Sequence, residues 1–152
     1  MTVRAADWAR LTEAARAARA HAHAPYSRYA VGAALKTASG GVYVGCNVEN
    51  ATYGATLCAE RSAVAAMVAA GDREPIACVV VTAGPEPGAP CGICRQVLAE
   101  FADDMAILLV AENDATRGEA RVVAKKSLRL AALLPHAFRF RPPPRKRTRD
   151  KA

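Results

Sequence analysis

Trp8, Leu11, Ala15 and Ala18 recur at helical spacing while Arg10, Glu13, Arg16 and Arg19 fall largely elsewhere on the wheel, so residues 6–21 read as an amphipathic helix. Pro25 marks its exit. Two apolar runs rich in branched side chains follow, Tyr29–Thr37 and Gly41–Val48, and the Ser39-Gly40 pair between them predicts a β-hairpin. Leu57–Ala70 is alanine-rich and stops at Gly71, the expected end of a helix. Ile76–Ala83 is a continuous apolar run and reads as a buried strand; Cys91–Ala102 is helical. Ile107–Ala111 and Ala120–Ala124 read as two further short strands, and Leu128–Leu133 as a final helix before Pro135. After the hairpin, strand alternates with helix, a pattern that favours parallel pairing with helices covering the sheet. The fold class is layered α/β.

With 152 residues the chain has room for one domain with a proper core. Hydrophobic residues make up 52% of it but aromatics only 5%, and alanine fills much of the difference, so small and branched side chains should let helices pack close to a sheet. The longest apolar stretch, Ile76–Ala83, is far too short to cross a bilayer. Met1–Arg19 has scattered charges and no continuous apolar centre, so it does not read as a signal peptide, and a cytoplasmic protein is expected. The net charge of +7 is concentrated at one end: residues 141–152 hold six basic side chains and one acid, leaving +2 for residues 1–140. Pro142-Pro143-Pro144 followed by Arg145-Lys146-Arg147 reads as an extended, solvated tail. That divides the chain into a domain over 1–140 and a basic, disordered tail over 141–152. Such a tail could touch RNA or anionic surfaces, although a solubilising role is the simpler reading.

The chemistry lies in Cys58-Ala59-Glu60 and, thirty residues on, Pro90-Cys91-Gly92-Ile93-Cys94. Three organised sulfurs match a catalytic zinc site, which takes three protein ligands and keeps a fourth position open. Both motifs fall at predicted helix starts, where unpaired amides and the positive end of the dipole stabilise thiolate. Three thiolates around a dication leave one negative charge, which opposes ionisation of a bound water; Arg61 is placed to offset it by donating to the sulfurs. Taken alone, Cys-x-x-Cys also fits a redox pair or half of a structural zinc knuckle. Cys46 and Cys78 lie in apolar runs and read as small buried hydrophobes. His21, His23 and His136 lie outside the motif and read as exposed loop or helix-end residues.

Cys-x-Glu followed by Pro-Cys-x-x-Cys is a form of the zinc deaminase signature. Taken with Pro25–Leu35, Gly45–Ala51, Cys58–Arg61, Pro90–Gln96 and Leu133–Phe138, it resembles the small homotetrameric cytidine deaminases over nearly all of residues 6–140. The resemblance implies a three-layer α-β-α sandwich around a mixed, mostly five-stranded sheet. It implies one zinc per subunit on Cys58, Cys91 and Cys94, with Glu60 as proton shuttle between water, ring N3 and the departing amine. Asn47 and Glu49 would hold the ribose, the Ala59 amide would meet the pyrimidine carbonyl, and Tyr29 would border the base where the family commonly has phenylalanine. Neighbouring subunits would supply Ala51 and Tyr53 from one partner and Phe138, stacked over the base, from another. The expected reaction is hydrolysis of cytidine and deoxycytidine to uridine and deoxyuridine with release of ammonia, in pyrimidine salvage.

Two rivals remain at this level. One is a deaminase of another aminopyrimidine, such as a nucleoside antibiotic or RNA, against which Asn47 and Glu49 favour a free nucleoside. The other is a nucleic-acid-binding module with a structural zinc, which requires a fourth protein ligand, Cys46 being the candidate, and salt-dependent RNA binding.

Overall fold

The computed structural model describes residues 3–113 and 121–140. Its elements run α1 (Ala5–Arg19), β1 (Val31–Thr37), β2 (Val42–Cys46), a single 3-10 turn at Tyr53–Ala55, α2 (Ala59–Ala69), β3 (Pro75–Ala83), α3 (Gly92–Phe101), β4 (Ala106–Glu112), β5 (Val122–Arg129) and α4 (Leu130–Leu133). The five strands form one sheet in the order β2-β1-β3-β4-β5. Only β3 and β4 are parallel, with Cys78 opposite Ile107; β1 pairs antiparallel with β2 and with β3, and β5 antiparallel with β4. The mixed five-stranded sheet agrees with the expectation, and α3 provides the one parallel crossover.

Alternation along the strands divides the core in two. Ala34, Ala77, Val79, Val81, Leu108 and Val110 face α1 and pack with Leu11 and Ala15. Ala33, Leu35, Cys78, Val80, Ile107 and Leu109 face the other way, against Ala63 and Met67 of α2, Leu98 of α3 and Leu130 of α4. These are the three layers. Small residues set their spacing: a Cβ on Gly32 would stand 1.9 Å from the carbonyl oxygen of Ala15, so α1 rests directly on the backbone of β1. Fully buried Glu112, at the end of β4, is held by α1 through Arg16 Nη2 at 2.6 Å and Arg19 Nη1 at 3.5 Å. Arg19 also donates from Nε to the carbonyl of Ala30, tying this ion cluster to the entrance of β1.

One sequence expectation is corrected. Residues 125–129 continue β5, and the last helix is only Leu130–Leu133. Lys125, Lys126 and Ser127 interrupt the apolar pattern because β5 is an edge strand, where exposed lysines are tolerated and discourage pairing with other chains. Ala120 and the basic tail 141–152 lie outside the described residues. Among those described, no helix is long and apolar enough to cross a membrane.

Candidate active site

Cys58 is the N-cap of α2 and Cys91 the N-cap of α3, and neither sulfur caps its helix. Both thiols are therefore free to face elsewhere. Cys94, one turn into α3, lies on the same side as Cys91 because residues three apart are neighbours on a helix. The sulfurs of Cys58 and Cys91 are 3.8 Å apart, those of Cys91 and Cys94 3.4 Å, and all three lie within 4.8 Å of one another. Ligands about 2.3 Å from a tetrahedral zinc stand about 3.8 Å from each other, so the spacing fits. Cys46, the fourth ligand that a structural zinc would require, is not in the cluster, and among the described residues no other histidine, cysteine or carboxylate joins it.

The electrostatics also fit a dication. Hydrogen bonding from Cys94, then from Cys91 and Arg61, outweighs desolvation and lowers the Cys58 thiol to about 5, while Cys94 is raised by its hydrogen bond to Cys58 and then by burial. Desolvation lowers the pKa of Arg61, but hydrogen bonding and charge at Cys58 override it and raise the value. The Arg61 guanidinium is fixed by donation from Nη2 to the carbonyl of Thr56, and its buried Nε has no partner among the described residues. Glu60, the second residue of α2, is only 4% exposed. Burial raises its pKa above the usual carboxylate value; its own backbone amide opposes this and the Cys58 charge reinforces it. A carboxyl shifted in this direction holds a proton more readily than an exposed one, as a proton carrier must.

Cys58, Ala59, Glu60 and Cys91 open on a cavity of about 310 Å³ that is also lined by Tyr29, Asn47, Glu49, Val80, Thr82 and Gly88. Asn47 joins the end of β2 to the segment before β1: its Oδ1 accepts from the amide of Val31 and its Nδ2 donates to the carbonyl of Tyr29. Glu49 Oε2 accepts the amides of Tyr26 and Ser27, and hydrogen bonding to Ser27 leads the effects that lower its pKa. These two side chains hold a strained turn, in which Arg28 adopts the left-handed region at φ 57°. Each also keeps unused capacity toward the cavity, since an amide oxygen has a second lone pair and Glu49 a second oxygen.

Ala51, Tyr53 and Phe138 stand outside the cavity. Tyr53 and Phe138 are 78% and 73% exposed. Tyr53 meets Tyr26 edge to face, with ring centroids 6.2 Å apart. Phe138 is held by its backbone alone: Gln96 donates to its carbonyl and accepts from its amide. Thr82 and Gly88, neither of them part of a sequence motif, also line the cavity. A hydroxyl near the end of the apolar run Ile76–Ala83 was the available signal for Thr82, and Gly88 carried none. His21, His23 and His136 take no part in the sulfur cluster.

Residues 6–111 match the model of the cytidine and deoxycytidylate deaminase zinc-binding region. A cytidine deaminase of Sporosarcina psychrophila is 46% identical over 95 residues, which span 62% of this chain and 70% of that protein. The crystal structure of cytidine deaminase from Burkholderia pseudomallei superposes with a TM-score of 0.72 at 46% identity, covering 86% of this chain and 98% of that one. That of Mycobacterium tuberculosis cytidine deaminase gives 0.69 at 40% identity, covering 88% and 98%. The chain belongs to the cytidine and deoxycytidylate deaminase family, and it is a zinc-dependent hydrolytic deaminase.

Proposed function

We propose that this enzyme deaminates free cytidine and deoxycytidine, yielding uridine or deoxyuridine and ammonia, and that Cys58, Cys91 and Cys94 hold one zinc per subunit. The observation that carries this reading is a nearly inaccessible carboxylate, Glu60, beside three clustered sulfurs at the wall of a cavity of about 310 Å³. Zinc held there supplies the Lewis acidity that makes water nucleophilic near neutral pH. Glu60 takes one proton from the attacking water and delivers it to ring N3 as the oxygen adds to C4, then takes that oxygen's second proton and gives it to the departing amine, so that ammonia leaves and a C4 carbonyl remains. The Ala59 amide, at the start of α2, receives the ring carbonyl, and Tyr29 borders the base. Asn47 and Glu49 bind the ribose hydroxyls with the capacity they do not use on the 26–31 backbone. A hydroxyl gripped this way leaves little room for a continuing phosphate chain, which favours a free nucleoside over RNA.

The same reading makes the protein a homotetramer in the cytoplasm serving pyrimidine salvage, with Ala51, Tyr53 and Phe138 completing sites on neighbouring subunits. Their exposure supports it, since two large rings outside their own cavity are available to a partner. Residues 1–140 act as the catalytic domain and residues 141–152 as an appended basic tail. The deciding experiment measures turnover of cytidine, cytosine and a cytidine-containing oligonucleotide, with zinc determined per subunit. Cytidine should be preferred, and Glu60→Gln should keep the fold and zinc while losing about 10²-fold or more in kcat. Retained turnover in that variant, or preference for the oligonucleotide, overturns the assignment.

A further inference from the structure

Gly88 lies on the segment leading from β3 to the Cys91 motif, and a Cβ built on it would stand 2.7 Å from the Tyr29 hydroxyl oxygen and 3.1 Å from Thr82 Cγ2. The Tyr29 hydroxyl thus fills the space that a side chain at position 88 would occupy. Thr82, 1% exposed, accepts the Gly88 amide at Oγ1 over 3.1 Å. Neither the hydroxyl hydrogen of Thr82 nor that of Tyr29 has an acceptor among the described residues. All three residues line the same cavity as Glu60.

We propose that Tyr29 and Gly88, with Thr82, form one specificity element that admits pyrimidines with a bare C5 edge and disfavours those carrying an apolar C5 substituent. The proposal rests on the reading of the cavity as a pyrimidine nucleoside site. In that reading N3 meets Glu60 and the ring carbonyl meets the Ala59 amide, so the opposite edge, C5–C6, turns away from the first turn of α2. Thr82 at the end of β3 and Gly88 on the segment after it line the cavity together with Tyr29, whose hydroxyl lies against Gly88. C5 also adjoins C4, the reacting carbon, and Gly88 lies only three residues before Cys91. A methyl group there competes for volume with the phenol oxygen, and rejection of one extra methyl is worth about tenfold or more.

The test compares kcat/KM for cytidine and 5-methylcytidine in the wild type, Tyr29→Phe, Gly88→Ala and the double variant, with melting temperatures for all four. Tyr29→Phe should raise the 5-methylcytidine to cytidine ratio by about tenfold. Gly88→Ala should lower the melting temperature, and most of that loss should disappear in the Tyr29→Phe background, because the phenol oxygen is what the added methyl meets. An unchanged ratio with normal cytidine turnover overturns the specificity claim alone. Additive melting temperatures overturn the steric pairing independently of activity. A wild type that deaminates no pyrimidine nucleoside removes the underlying reading and the proposal with it.

Discussion

Gly45 on β2 lies so close beneath Ala59 that a Cβ on it would stand 2.4 Å from the Ala59 carbonyl oxygen and equally close to the Ala63 amide. The start of α2, which carries Cys58 and Glu60, is therefore seated on bare backbone, and the separation between sheet and helix sets the height of the site. Gly45→Ala cannot be absorbed by rotating a flexible side chain, since both contacts are backbone. Overpacking of this kind costs about 1–3 kcal/mol. The expected outcome is a lowered melting temperature together with weaker zinc retention, read by thermal denaturation and metal analysis; a variant with wild-type values on both would show that α2 is not fixed from below.

Glu112 reaches the site from the opposite layer. Its carboxylate accepts from Arg16 Nε at 2.7 Å and lies 3.5 Å from Arg19, which in turn holds the carbonyl of Ala30 beside Tyr29. Glu112→Gln leaves two arginines facing a neutral amide, and breaking such a buried pairing costs about 3 kcal/mol. At about 2–4 °C per kcal/mol for a domain of this size, the melting temperature should drop by about 10 °C. Arg19→Ala should cost less stability but raise KM for cytidine more than it lowers kcat, because it frees the backbone next to Tyr29. Equal effects of the two variants on KM and stability would make the cluster purely structural.

The sequence made the site more legible than its surroundings. Cys58, Glu60, Cys91 and Cys94 announce themselves because zinc chemistry dictates residue type and spacing, and both helix starts coincide with the caps observed. β5 was misjudged because its lysines obey the needs of a sheet edge and not hydrophobic alternation. Glu112 could not be anticipated: in sequence it is one acid at the end of an apolar run, and its burial becomes tolerable only when α1 brings Arg16 and Arg19 across the sheet. The dual use of Asn47 and Glu49, in which one side of each group binds backbone, is likewise a property of tertiary placement.

Asp72, just after α2, accepts from Ser39 Oγ at 2.5 Å and from the Arg73 amide at 2.8 Å, tying the hairpin turn to the helix end. Hydrogen bonding from Ser39, and then from Thr37, holds its pKa at about 2. A carboxyl lowered in the folded state favours folding once the unfolded chain has ionised, so the contribution is complete above about pH 4. It is lost as pH falls from about 4 to about 2. Asp72→Asn should therefore flatten the acid limb of stability between those values and leave the shape of the curve above pH 5 unchanged, as followed by urea denaturation across pH. A steep limb that persists in the variant would assign acid sensitivity to other carboxylates.

Arg61 is bound on one side by the Thr56 carbonyl and lies with its charge beside Cys58. Three thiolates overcompensate a dication by one negative charge, and this guanidinium is the cation best placed to reduce it. Removing it makes proton loss near the sulfurs harder, so a group that must deprotonate for turnover acquires a higher pKa. Arg61→Ala should accordingly shift the acidic limb of the kcat–pH profile upward by about one unit, with zinc content retained, and Arg61→Lys should recover part of the shift. KM for cytidine should move little, because the guanidinium does not line the cavity. A large rise in KM with an unmoved pH profile would instead make Arg61 a substrate ligand.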